Sequence, residues 1–127
     1  MDAHIKFEGN ITDEISYDLE QLAYLIEQDC DLSVGREKQP PKPGVKESGL
    51  IIGLTIAGVV LSGIQALFSA LSYWGSKQQK YSLLICFDNK TFLLENLDRS
   101  ETNQVLAEIA RLPILVNEKI KIKIVKK

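Results

Sequence analysis

The sequence predicts an α+β fold: a small mixed sheet with a terminal strand, a hairpin and three helices, one of them long and apolar. Three observations carry this. Apolar and polar residues alternate strictly near both ends, in AHIKFEG at 3–9 and EKIKIKIVKK at 118–127, the mark of strands with one buried face. Apolar residues recur at helical spacing after capping residues at Thr12 and Ser100. Between them, residues 48–76 carry no charge at all.

The elements follow in order. Ile5 and Phe7 point one way from the first strand, and His4, Lys6 and Glu8 the other; Gly9-Asn10 ends it. Thr12 caps a helix with Asp13 and Glu14 in its first turn, where the helix dipole favours acids. Its apolar face is Ile15, Leu19, Leu22, Ala23 and Ile26, running to about Gln28. Asp18, Glu20 and Glu27 are expected on its solvated face. Leu32 and Val34 suit a short strand. Residues 36–46, REKQPPKPGVK, hold three prolines and a glycine, which forbid helix or central strand. The neutral block that follows has no internal proline and is far longer than a strand, so one helix is expected, about 43 Å long if unbroken. Next, KYSLLICFDNKTFLLE reads as a hairpin turning at Asp88-Asn89-Lys90. Ser100 caps a helix with Val105, Leu106, Ile109 and Leu112 on its apolar face, and Pro113 stops it. The Lys/Ile tail reads as an edge strand, Lys119, Lys121 and Lys123 facing out to discourage stray pairing.

At 127 residues the chain suits one domain. Its segments are 1–36, a strand and acidic helix; 37–47, a Pro-rich linker; 48–76, the uncharged helix; and 77–127, hairpin, helix and Lys/Ile strand. Residues 1–47 hold 11 acids and 5 bases, and residues 77–127 hold 6 acids and 10 bases. The net charge of −2 argues against nucleic acid as a partner. Cys30 and Cys86 have no metal spacing. The start Met-Asp-Ala-His lacks the plan of a secretion signal, so reduced thiols and a cytoplasmic location are expected.

The uncharged block admits three readings. Residues 49–67 average roughly 2 on the usual hydropathy scale, and Tyr73 and Trp74 stand where interfacial aromatics belong, as in a transmembrane helix. Ser48, Thr55, Ser62, Ser69 and Ser76 stand seven apart, with Gly58, Gln65 and Ser72 between them. That 3-4 spacing makes one weakly polar stripe, able to line a pore in an oligomer. Gly49, Gly53 and Ala57 form a small-residue series that lets helices approach closely. The same helix could instead be the interface of a soluble homo-oligomer, or a core helix with the stripe exposed.

Residues for chemistry are few. P-loop, GxGxxG, HExxH and GxSxG patterns are absent. The single histidine, His4, is expected at a surface or edge, and Cys86 as a buried, inert thiol. No catalytic, metal or cofactor residues are assigned, and no enzyme is expected.

The order of motifs resembles the effector-associated constant component family of small bacterial proteins. The residues that carry it are a helix ending Leu25-Ile26-Glu27-Gln28-Asp29, the turn Pro40-Pro41-Lys42-Pro43-Gly44-Val45, and a small-residue apolar helix ending near Trp74. A hairpin (82–87, 91–94) and a last helix (101–112) complete it. Leu25-Ile26 replaces the family's Trp-Leu, Gly35-Arg36 stands loosely for its Arg-Gly, and its basic pair is reduced to Lys77 and Lys80. The resemblance implies an accessory component of a bacterial antiphage system, encoded beside an effector such as a caspase-like or trypsin-like peptidase, with no active site of its own. Two expectations follow. The chain is a membrane-acting element that an effector releases, with Arg36, Lys38, Lys42 and Lys46 as hinge or cleavage site and membrane lipid as a partner. Alternatively, it is a soluble oligomeric adaptor that docks and regulates the effector.

Overall fold

The computed structural model describes residues 2–38, 50–87, 90–94, 99–111 and 119–127. The first strand, β1 (Asp2–Glu8), is followed by helix α1 (Asp13–Cys30) and a short strand β2 (Gly35–Lys38). Then come β3 (Ile51–Ile56), α2 (Leu61–Lys77), β4 (Tyr81–Phe87), β5 (Lys90–Leu93), α3 (Arg99–Arg111) and β6 (Lys119–Lys126). The strands form one mixed sheet of order β2-β3-β1-β6-β4-β5. Only β1 and β6 pair in parallel; the other neighbours are antiparallel.

Register places every apolar alternate on one face. Ala3, Ile5 and Phe7 stand opposite Ile120, Ile122 and Ile124 of β6. Leu83 and Ile85 of β4 continue the rows on one side, and Leu54 and Ile56 of β3 on the other. All of these are buried. The helices cover this face, with α1 against β3, α2 against β4, and α2 touching both other helices. Leu19, Leu22 and Ile26 of α1 and Ile64, Leu67 and Leu71 of α2 fill the layer between, each at most 1% exposed. Full burial of such side chains stabilises by about 1.5–3 kcal/mol each.

Thr12 caps α1 as expected: its Oγ1 accepts from the Ile15 N–H at 3.2 Å. Ser16 Oγ accepts from the Ile51 N–H at 2.9 Å and so ties α1 to the start of β3. The hairpin strands fall where they were expected; its turn, Asp88-Asn89, lies outside the described residues. Ser100 lies inside the first turn of α3 rather than ahead of it, and Pro113 is outside the described residues.

Two expectations are overturned. Residues 48–76 are not one helix: strand β3 and helix α2 are separated by 57–60. Ile51, Ile52, Thr55 and Ile56 are β-branched and suit a strand. Gly58 then takes φ +68°, a left-handed turn that a helix does not accommodate. No helix among the described residues is long and apolar enough to cross a membrane. The second correction concerns β6, which is not an edge strand but lies between β1 and β4. Its neighbours satisfy its backbone on both sides, so its lysines protect no edge.

Candidate functional site

The residues of the expected polar stripe scatter over three elements. Thr55 stands on β3, on the sheet face away from the helices, and Gly58 lies in the turn after it. Ser62, Gln65, Ser69 and Ser72 do share a face of α2, and it is exposed. The stripe is therefore the outer edge of a core helix, whose apolar side is spent on this chain's own sheet. Ser48 and Gly49 lie outside the described residues, and Ala57 is exposed after β3. Gly53 is buried in β3, where a Cβ would come within 2.9 Å of the Ile5 carbonyl oxygen. Its small size admits a neighbouring strand and the side chains above it, not a second helix.

Tyr73 and Trp74, adjacent in sequence, part company. Tyr73 is 56% exposed with the Lys77 ammonium 5.7 Å from its ring centroid. Trp74 is buried and stacks on Tyr81, with centroids 5.4 Å apart and planes 2° from parallel. Its Nε1–H is buried without a hydrogen-bond partner among the described residues.

Of the acids expected on the solvated face of α1, Glu20 and Glu27 are partly exposed but Asp18 is not on it. Asp18 is buried, 6% exposed, and accepts a 2.6 Å hydrogen bond from the Tyr81 hydroxyl. Lys80 Nζ stands 3.0 Å from the same carboxylate and also pairs with Glu14. Burial, together with the bond to Asp18, pushes the Tyr81 phenol above its ordinary range. The bonds to Glu14 and Asp18 raise Lys80 likewise. Residue 18 follows Ile15 by three and precedes Leu22 by four, so helical spacing itself sets Asp18 on the buried face.

Arg36, expected as a hinge or cleavage site, is held on three sides. Its Nη2 donates to Glu27 at 2.6 Å and to Glu20 at 3.2 Å, and its Nη1 donates to the Val34 carbonyl at 2.9 Å. The bond from Arg36 holds the Glu27 carboxyl below its usual range. Lys38 is exposed at the end of β2, while Lys42 and Lys46, with the rest of the proline segment (39–49), lie outside the described residues.

The sheet face away from the helices brings together residues that the sequence left apart. His4 Nε2 donates to Glu37 Oε2 at 2.9 Å, crossing β3 above Gly53, where a Cβ would approach that carboxylate to 3.1 Å. With Asp2, Thr55 and Ala57, this pair lines a shallow cleft of about 200 Å³. Lys123 pairs with Glu8 at 3.4 Å. Cys86 is half-buried on this face, not enclosed, and accepts from the Thr91 hydroxyl at 3.6 Å. His4 and Glu37 are 33 residues apart; only the pairing of β1, β3 and β2 joins them. Among the described residues, no three potential metal-ligating side chains converge.

A second surface is the outer side of the helical layer. Tyr17, Gln21, Tyr24 and Gln28 follow i, i+4, i+7, i+11 along α1, and all are exposed, the tyrosines by 64% and 59%. Tyr81 joins the end of α2, through Trp74, to the first half of α1, through Asp18. Gly63 faces Leu32 at the opposite end. The two helices are thus antiparallel neighbours, and their outward stripes, both uncharged, lie side by side. The chain matches no family model, no curated protein and no solved structure.

Proposed function

We propose that this chain is a non-enzymatic accessory component of a bacterial conflict system, an adaptor that self-associates through its helical layer and docks an effector protein such as a peptidase. The observation that carries the docking role is the uncharged outer face of α1 and α2. A quarter of the chain is charged, yet Tyr17, Gln21, Tyr24 and Gln28 run beside Ser62, Gln65, Ser69, Ser72 and Tyr73 with all of them exposed but none charged. Depletion of charge and exposure of tyrosine are the composition of an interface core. A second copy is the favoured occupant, because identical neutral faces meet across a two-fold axis without like-charge repulsion. The conflict-system context is supported by the order of motifs, from the end of α1 through the PPxPG turn to Trp74 and the hairpin.

Each stripe is about 17 Å long at 1.5 Å per residue, and two neighbouring helices are about 20 Å across. A mated pair of such faces covers on the order of 700 Å², the size of a weak, transient contact. Sedimentation across a wide concentration range should show reversible dimerisation in the micromolar range or above. Tyr17→Lys with Tyr24→Lys should abolish it while leaving the fold intact, since both side chains are exposed. A monomer at every concentration, or a dimer indifferent to the two lysines, refutes the assembly face. Co-expression with the effector encoded beside the gene should yield a joint complex; an effector that elutes alone refutes the adaptor role.

A further inference from the structure

We propose that the sheet face away from the helices is a docking site for an extended acidic polypeptide segment, held by Lys6 and Lys121 with Lys123. This inference concerns the opposite face from the assembly surface and does not rest on it.

The starting point is the place of β6. Alternating lysines at a sheet edge are explained by the need to prevent stray pairing, but β6 is an interior strand. Lys123 stands directly opposite Lys6 of β1, and Lys121 directly opposite His4. Lys6 and Lys123 thus face each other as like charges, which destabilises a strand pair. Folding alone gains nothing from this arrangement, and residues that break a local rule are those to examine for function.

The neighbouring acids do not cancel the cluster. Glu8 is engaged with Lys123 and Glu37 with His4. Neither Lys6 nor Lys121 forms an ion pair with any described residue. Two ammonium groups with no ion-pair partner among the described residues thus sit at the centre of the sheet, in a chain whose net charge is −2.

The chemistry of the face selects the partner. All nine aromatic residues lie on the helices or on the helix-covered side of the sheet: Phe7, Tyr81, Phe87 and Phe92 from the strands, the rest from α1 and α2. The open face therefore has no Phe, Tyr or Trp ring on which a nucleic-acid base could stack, and its imidazole, His4, is engaged with Glu37. The large exposed apolar side chains, Tyr17, Tyr24, Val60 and Tyr73, are also elsewhere, and Leu84, Leu93 and Val125 on this face are half-buried, so it offers no large exposed apolar group to a lipid surface. What remains are lysines set among Asp2, Glu8 and Glu37, with positions about 6.7 Å apart along a strand and about 4.8 Å between strands. An extended peptide presents alternate side chains at that same spacing along its length, so carboxylates two residues apart match Lys121 and Lys123 in step.

The test is fluorescence anisotropy with a labelled oligo-glutamate peptide, with single-stranded oligothymidylate and anionic vesicles as competing probes. Oligo-glutamate should bind best, and more weakly as salt is raised. Lys6→Gln with Lys121→Gln should reduce binding roughly 3- to 30-fold, the range for losing two exposed ion pairs. Lys38→Gln, on edge strand β2, should change it less than about twofold. Equal losses in the two variants, tighter binding of oligothymidylate or vesicles, or no binding of the peptide at low salt would each overturn the assignment. Because every substitution is at an exposed side chain, a circular dichroism melt of each variant separates lost binding from lost folding.

Discussion

Gly53→Ala separates the strand from the helix as the true state of residues 51–56, because the two predict opposite signs. In a helix, replacing glycine by alanine stabilises by about 0.8–1 kcal/mol. In the observed strand, the new Cβ would stand 2.9 Å from the Ile5 carbonyl oxygen, 3.1 Å from Glu37 Oε2 and 3.7 Å from His4 Nε2. The carboxylate can swing aside, but the carbonyl belongs to the paired backbone of β1. Forcing a methyl group into such a space costs about 1–3 kcal/mol. Reduced freedom of the unfolded chain offsets about 0.5–1 kcal/mol of it. The net expectation is a loss on the order of 1–2 kcal/mol, or a melting temperature lower by about 3–10 °C for a domain of this size. Urea unfolding followed by circular dichroism measures this directly, with an unchanged m-value showing that the native state itself has kept its extent. A variant as stable as the parent, or more so, would refute the strand register and the account of why position 53 is glycine.

The turn after β3 makes a parallel case: Gly58 has φ +68° with open space around it, so Gly58→Ala should cost about 1–2 kcal/mol through backbone strain alone and Gly58→Asn distinctly less in the same melt. Tyr81→Phe keeps the stack on Trp74 but deprives the buried Asp18 of its 2.6 Å donor, and should lower stability by about 1.5–3 kcal/mol in urea unfolding. Folding raises the proton affinity of Tyr81 and Lys80, so their contribution is present at neutral pH and lost as pH climbs above about 10; Tyr81→Phe should flatten that alkaline limb. Folding lowers the Glu27 carboxyl below its usual 4.5, so that contribution is present above this value and lost as pH falls through the folded range. The advantage of the parent over Arg36→Gln in thermal melts should therefore shrink as pH falls below the usual 4.5, and an advantage independent of pH would rule out the pair as its source.

How much of this was legible in the sequence depends on whether the pattern was local. β1 and β6 were read from two-residue alternation, α1 from its Thr12 cap and apolar spacing, and the hairpin from its turn. The block 48–76 was misread because every residue in it is uncharged, so contrast between a core face and a solvent face vanishes for six residues of strand. A continuous apolar run is compatible with either a buried strand or a helix. The β-branched cluster Ile51, Ile52, Thr55, Ile56, followed by Gly58, was the available signal, and the apparent 3-4 stripe concealed it. Only its second half, from Ser62 onward, belongs to a helix. Strand order is a different matter. Alternation reports that one face of the Lys/Ile tail is buried, but not whether its edges are paired.

That distinction changes what the charges mean. The sequence divides them into an acidic front and a basic back, which invites the view that the two halves neutralise each other. The fold pairs them selectively. Glu14, Asp18, Glu20 and Glu27 of α1 meet Lys80 and Arg36 on the helical side, so two cations from loop and edge hold four acids of the helix. Lys121 and Lys123 of β6 are carried to the opposite side of the sheet, where Lys123 meets Glu8. Between the two lies a layer of Ile, Leu and Val too thick for contact. The helical side thus keeps uncharged, tyrosine-bearing stripes on α1 and α2, and the other side keeps Lys6 and Lys121, which no acid of the described chain pairs. An adaptor that must hold a copy of itself and a different partner at once needs two faces whose chemistries do not compete, and a sheet covered on one side only supplies them.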